Sequence, residues 1–286
     1  MFSILPQILV TGIAVGGVYA LVASGLTVAY AVTRHINLMQ AHFLMLSLYL
    51  VVLFQSIWGL DPYVSALLVV PILFGFGLLV FLTFMRGMLE TNVMTMFQLF
   101  IGGLMVIENA VLMVFSTTPR QAESVITMQR IVLGNNIMLP LDQVIACLAS
   151  VGIGVGGYFL LKSTEFGRCV RAVSNDAEAA SLMGIKVARV QWMVFGFSFV
   201  LIAIAAVLIA PSQWVSPNLG GQYMIFTFIV ITLGGFGNFV GALLAGFLLG
   251  ILQTVCTAII GTTIGLAIPY LFFVAVFLWR PRGLVE

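Results

Sequence analysis

The chain has 286 residues, of which 62% are apolar and only 7% charged. Soluble domains carry roughly 25% charged residues, so a water-soluble globule is excluded, and the mean hydropathy of +1.21 agrees. A net charge of +2 argues against nucleic acid as a partner, because phosphate recognition needs clustered Lys and Arg.

A helix needs about 20 mostly apolar residues to cross the hydrocarbon core, which leaves room for about eight to ten crossings. Runs of spanning length fall at 5–32, 38–57, 63–84, 93–115, 141–161, 190–210, 239–260 and 264–279. The first run starts at Ile4 without the basic region and cleavage site of a secretory signal, and reads as a retained span. These runs are apolar on all sides, which excludes a barrel of alternating strands. Helices are then the only spanning conformation, since lipid satisfies no open backbone groups. Pro62, Pro140 and Pro217 fall in loops or at helix starts, where a missing N–H costs little. The expected architecture is a single all-α polytopic domain over 1–286.

Five of the 11 basic residues, Lys162, Arg168, Arg171, Lys186 and Arg189, lie in the 162–189 loop. The positive-inside rule makes that loop cytoplasmic and the N-terminus periplasmic. Arg34 and Arg86 then fall inside, with Arg34 and His35 at the interface, and Arg120 and Arg130 fall outside. Arg280 and Arg282 should also be cytoplasmic, yet only two full-length runs follow the outer loop at Pro217. Parity is restored if 223–233 is a short or half helix broken at Gly234-Gly235-Phe236-Gly237-Asn238. The expectation is therefore nine crossings, with eight as the alternative, and a discontinuous element near 223–237 beside a substrate path.

Within the 162–189 loop, Phe166, Val170, Val173, Ala177 and Ala180 recur at helical spacing. Asn175 with Glu178 reads as a capping box restarting a short helix. Gly184 fits a left-handed C-terminal cap closed by Ile185. Two short amphipathic helices follow. They either rest on lipid headgroups or dock their small-residue face into a groove of a protein partner.

The run Gly167-Arg168-x-x-Arg171-Ala172-x-x-x-Asp176-x-x-x-Ala180-x-x-x-Gly184-Ile185 resembles the coupling loop of the permeases that import branched-chain amino acids. Those are subunits of ATP-binding-cassette transporters working with a periplasmic binding protein. The likeness covers nearly the whole chain, including Ile36-Asn37 with Met45 and Tyr49, Gly234-Gly235-x-Gly237 with Gly241, and Pro281-x-Gly283-Leu284. It is nearest to the shorter permease subunit. Where that family reads Ile-Asn-Phe-Ala-His-Gly-Glu, this chain has Ile36-Asn37-Leu38-Met39-Gln40-Ala41-His42, and Lys186 replaces an Asn.

The resemblance implies an ATPase-coupling role for Glu165, Gly167, Arg168, Arg171, Ala172, Asp176, Ala180, Gly184 and Ile185. Its implied partners are two cytoplasmic ATPase subunits that bind ATP and Mg, a periplasmic binding protein, and a second permease or another copy of this chain. The implied location is a bacterial inner membrane. The translocation path is expected to include Asn37, Gln40, His42, Glu108, Asn109, Gly234, Gly235, Gly237 and Asn238. Glu108 lies inside an apolar run, where an acid costs about 2.5–3.5 kcal/mol on insertion scales. It reads either as a path residue or as a hydrogen-bonded link between helices; the family often has an amide there. Gly12, Gly16, Gly17 and Gly25, like Gly241, Gly246 and Gly250, fall near helical spacing and suit close helix packing.

No catalytic or metal constellation stands out among two histidines and the separated Cys147, Cys169 and Cys256. No Walker-type glycine loop is present either. The function expected is a permease subunit for branched-chain or related hydrophobic amino acids, with no cofactor of its own. Importers of urea or short amides are the alternative substrate class. An ion-coupled secondary transporter is the rival mechanism, for which Glu108 alone offers a midplane carboxylate.

Overall fold

The computed structural model describes residues 5–87, 92–124, 130–133 and 137–279. Eleven helices follow one another: α1 Leu5–Thr33, α2 Gln40–Trp58, α3 Pro62–Val80, α4 Val93–Phe115, α5 Leu141–Ser163, α6 Glu165–Asn175, α7 Ala177–Leu182, α8 Val187–Ile209, α9 Leu219–Gly234, α10 Phe239–Ile260 and α11 Thr262–Trp279. A π-helical turn, Phe81–Met85, extends α3. Among the described residues, seven helices are long and apolar enough to span, and Leu219–Gly234 and Ile264–Trp279 are shorter apolar helices. The protein is an all-α polytopic membrane protein. Its departure from pure helix is an antiparallel pair of four-residue strands, β1 Arg130–Leu133 and β2 Ile137–Pro140, placed between α4 and α5.

Pro62 occupies the first turn of α3, where the Asp61 side chain accepts from the Tyr63 N–H at 3.0 Å. Pro140 is the residue before α5, and Pro217 lies in the turn before α9. Each avoids the helix interior, where a missing donor costs most, whereas Pro71 and Pro269 lie inside α3 and α11.

α1, α2 and α8 form the buried centre, and α4 lies at the periphery. Because lipid tails are as apolar as leucine, these helices associate through close packing instead of water exclusion. A Cβ on Gly250 would stand 2.1 Å from the Gly16 Cα, and one on Gly246 would stand 2.4 Å from the Ala20 Cα. α1 and α10 therefore touch backbone to backbone, as the glycine spacing predicts. Around α8, Phe199 stacks near Phe43 of α2 at 4.6 Å, and Phe195 meets Phe81 at 5.6 Å.

The short helix expected near 223–237 is present and ends at the glycine cluster, but it carries no break within its length. α9 is an unbroken helix of 16 residues that begins at Leu219, not Tyr223. At 1.5 Å per residue it is about 24 Å long. The glycine cluster after it forms the turn into α10, with Gly235 and Gly237 at φ +88° and +84°. Irregular backbone instead enters the bundle between α1 and α2. Residues 34–39 are non-helical, and His35, Asn37 and Met39 are buried. Gln40, which starts α2, packs against Gly25, about 12 Å inside the end of α1 by helix rise. Such backbone is tolerated at membrane depth only where protein or a cavity surrounds it.

Candidate functional site: a buried polar node and a helical knob

Asn37 shapes the entry to α2. Its Oδ1 accepts from the Met39 N–H at 3.1 Å, and its carbonyl accepts from the Gln40 N–H at 3.2 Å. This turn leaves Asn37 Nδ2 without a partner; Gln40 Nε2 and Oε1, His42 Nδ1 and Thr227 Oγ1 also lack one. Asn37, Gln40 and Thr227 line a single cavity of about 10 Å³ with Met224 and Phe228 of α9. That volume admits at most about one water, so the bundle is closed at this level. An unsatisfied buried polar group costs about 1–3 kcal/mol, and Gln40, at 1% exposure, carries two such atoms. Packing alone gives no reason to keep an amide there.

His42 sits one half-turn above Gln40. Its ring fills the space beside Gly220 of α9, where a Cβ would come within 2.6 Å of it. His42 Nε2 lies 3.8 Å from Glu108 Oε2 of α4. Asn109 does not join this group: it is exposed on α4, and its Nδ2 donates to the Met105 carbonyl of its own helix at 2.8 Å. Gly234, Gly235, Gly237 and Asn238 lie apart as well, at the α9–α10 turn. There Asn238 Oδ1 accepts from the Gly241 N–H at 3.0 Å, and a Cβ on Gly241 would overlap the Gly234 carbonyl oxygen at 1.8 Å. None of these four lines the polar node. Thr227 and Gly220 do belong to the node. Their sequence signal is slight, a lone hydroxyl and a lone glycine in an apolar stretch.

The second feature is the α6–α7 pair. The Thr164 hydroxyl accepts from the Gly167 N–H at 3.1 Å and starts α6. Gly167 is needed for close approach, since a Cβ would lie 2.0 Å from the Leu161 carbonyl oxygen. Arg171 donates to that same carbonyl, and Arg34 donates to the Ser174 carbonyl. Exposed Glu165 and Arg168 pair at 3.4 Å. The cap of α7 is Asp176, whose Oδ1 accepts from the Glu178 and Ala179 N–H groups at 2.9 Å each. Asn175 ends α6 instead of capping α7, because Asp176 holds the extended conformation (φ −152°, ψ 108°) a cap needs.

Gly184 has φ +86°. The Ile185 N–H reaches the Ala180 carbonyl at 3.1 Å, and the Gly184 N–H reaches Ser181 at 3.0 Å. That is the Schellman pattern expected from sequence. The periodic apolar face behaves differently from expectation. Val170, Val173 and Ala180 are buried, and Phe166 meets Phe197 of α8 at 6.4 Å, so this face packs on the chain itself. Ala177 is exposed, and Ala172 is partly buried. The surface offered outward is the tip of α7, where Leu182 and Met183 are 85% and 84% exposed.

His35 is buried in the protein, and its Nδ1–H donates to the Thr33 carbonyl at 2.6 Å. Arg280, Arg282 and the Pro281-x-Gly283-Leu284 motif lie outside the described residues, as do Ile4 and the side chain of Arg130.

Residues 8–279 match the family described as branched-chain amino acid transport system, permease component. The high-affinity branched-chain amino acid transport permease BraD of Pseudomonas aeruginosa is 25% identical over 98% of this chain and 95% of its own length. The permease LivH of Escherichia coli is 29% identical over 44% of this chain and 41% of its own. The ribose import permease RbsC of Bacillus subtilis is 31% identical over 40% of this chain and 37% of its own. No solved structure matches the chain. The chain belongs to the family of permease components of branched-chain amino acid transport systems.

Proposed function

We propose that this chain is the membrane-spanning permease subunit of an ATP-driven importer for branched-chain or related hydrophobic amino acids. The observation that carries the reading is the α6–α7 knob. Its root is fixed to α5 and α8, and its apolar tip at Leu182 and Met183 has no partner in the chain. A separate ATPase subunit would hold that tip from the cytoplasm, with the N-terminus periplasmic. A periplasmic binding protein would supply substrate, and a second permease would complete the pair.

Arg34 gives the knob a physical route to the polar node. It bonds the Ser174 carbonyl of α6 and stands three residues before Asn37, at φ +59°. A non-glycine residue at such an angle is strained and persists only where its surroundings hold it. Displacing α6 would pull on Arg34 and shift the 34–39 segment, opening the constriction at Asn37, Gln40 and Thr227. His42 and Glu108 would line the path above it. The work comes from the differential affinity of the ATPase pair for the closed and open states.

Uptake by the permease reconstituted with its ATPases and binding protein tests the reading. Leucine accumulation that requires ATP is the expected result. Uptake driven by a proton or sodium gradient without the ATPases would overturn it. Urea or a short amide is the second substrate reading, favoured by the uncharged carboxamides at the node; preferential accumulation of urea over leucine would establish it.

A further inference from the structure

A cavity of about 420 Å³ lies where the ends of α1, α5 and α6 meet the start of α10. Its walls include Val28, Leu161, Phe239 and Val240, and its rim carries Lys162 and Arg171. Ser174, which holds Arg34 through its carbonyl, also faces it. Two cations therefore stand at one opening, and no acidic residue lines it. Among the described residues, neither Lys162 nor Arg171 pairs with a carboxylate. Lys162 Nζ instead donates to the Tyr158 hydroxyl at 2.9 Å and lies 5.2 Å from that ring's centroid.

α10 points its N-terminus into the same space. Asn238 takes the Gly241 N–H, which leaves the first N–H groups of the helix, at Phe239 and Val240, without intrahelical acceptors. Positive helix end and cations together favour an anion. Free phosphate would leave the apolar walls unused. A headgroup whose acyl chains continue along the exposed apolar side chains Val155 and Phe159 of α5 and Leu244 of α10 would use both.

We propose that this cavity binds the phosphate headgroup of an anionic phospholipid on the membrane face that carries α6 and α7, and that the lipid braces the root of the knob. Juxtamembrane cations contribute to anionic-lipid attraction in this way. The proposal concerns binding and does not depend on which substrate is carried.

Native mass spectrometry of the purified full-length chain with phosphatidylglycerol, phosphatidylcholine or inorganic phosphate tests it. One phosphatidylglycerol should be retained in preference to phosphatidylcholine, and inorganic phosphate should give no matching protection against thermal unfolding. Lys162→Gln and Arg171→Gln should each weaken retention about fivefold. Val240→Trp should displace the lipid while keeping every charge, and Arg189→Gln, away from the cavity, should change nothing. Should Arg171→Gln fail to fold, Lys162→Gln and Val240→Trp still decide the matter. Equal retention of the two lipids, equal protection by inorganic phosphate, or undiminished retention by Lys162→Gln or Val240→Trp would overturn the proposal. Expulsion of the lipid when the ATPase subunits assemble would overturn it too, because an acidic group of that partner would then be the occupant.

Discussion

Replacing Gly184 with valine should uncouple ATP hydrolysis from uptake. The backbone there has φ +86°, and no heavy atom lies within 4 Å of where a Cβ would stand, so the penalty is conformational and not steric. A left-handed L-residue costs roughly 1–2 kcal/mol, and β-branched side chains are genuine outliers in that region. The bonds from Ile185 to Ala180 and from Gly184 to Ser181 exist only with this turn, and each contributes about 0.5–1.5 kcal/mol net. A shift of about 2 kcal/mol moves the balance between capped and frayed α7 up to about thirtyfold. With six residues, α7 is too short to persist alone, so the tip carrying Leu182 and Met183 loses its position. In proteoliposomes containing the whole transporter, hydrolysis should continue while uptake per ATP falls about tenfold or more. Gly184→Asn should retain most coupling, since asparagine tolerates the left-handed conformation. Wild-type uptake per ATP in Gly184→Val, or equal damage from Gly184→Asn, would refute the reasoning.

Gln40→Leu should raise the thermal stability of the detergent-solubilised protein, by about 1–3 kcal/mol from the removal of orphaned polar atoms, and abolish uptake; unchanged uptake would remove Gln40 from the path. Gly250→Val should leave no folded protein on size-exclusion chromatography, because its Cβ would meet the Gly16 Cα at 2.1 Å and overpacking already costs about 1–3 kcal/mol in milder cases. Gly152→Val, with open space around it, should be silent in the same assay. Arg34→Gln should preserve the fold and lower uptake per ATP hydrolysed, and full coupling in that variant would exclude the link between Ser174 and the node. Glu108→Gln should keep assembly intact, whereas Glu108→Leu should lower initial uptake about tenfold at equal protein; full uptake by Glu108→Leu would count against a polar path at that level.

Features set by local chemistry were legible in the sequence. Span positions follow from hydropathy, the Gly184 cap from a glycine after a short amphipathic run, and the α1–α10 contact from glycines at helical spacing. Features set by distant partners were not. His42 and Glu108 meet across 66 positions of sequence, and Ser174 and Arg34 across 140. Parity required a short apolar helix, and α9 is one; the sequence did not show whether the glycine cluster after it is a tight turn or a broken span, because the two look alike. The break at 34–39 follows from the gap between the runs 5–32 and 38–57, but the burial of His35, Asn37 and Met39 within the bundle had no local signature. The inward packing of Val170 and Val173 was equally hidden, since periodicity identifies an apolar face and not its neighbour. Asp176 displaced Asn175 as the cap for a related reason: adjacent residues with similar side chains are separated only by which one takes the extended conformation.

The central claim is that the α7 tip is a cytoplasmic handle for a separate ATPase. A single cysteine at Leu182, with Cys147, Cys169 and Cys256 replaced, measures it directly through a membrane-impermeant maleimide applied to intact and opened cells. The account predicts no labelling in intact cells, labelling once the cytoplasmic face is opened, and protection when the ATPase subunits are bound. Labelling of Leu182→Cys in intact cells would contradict it.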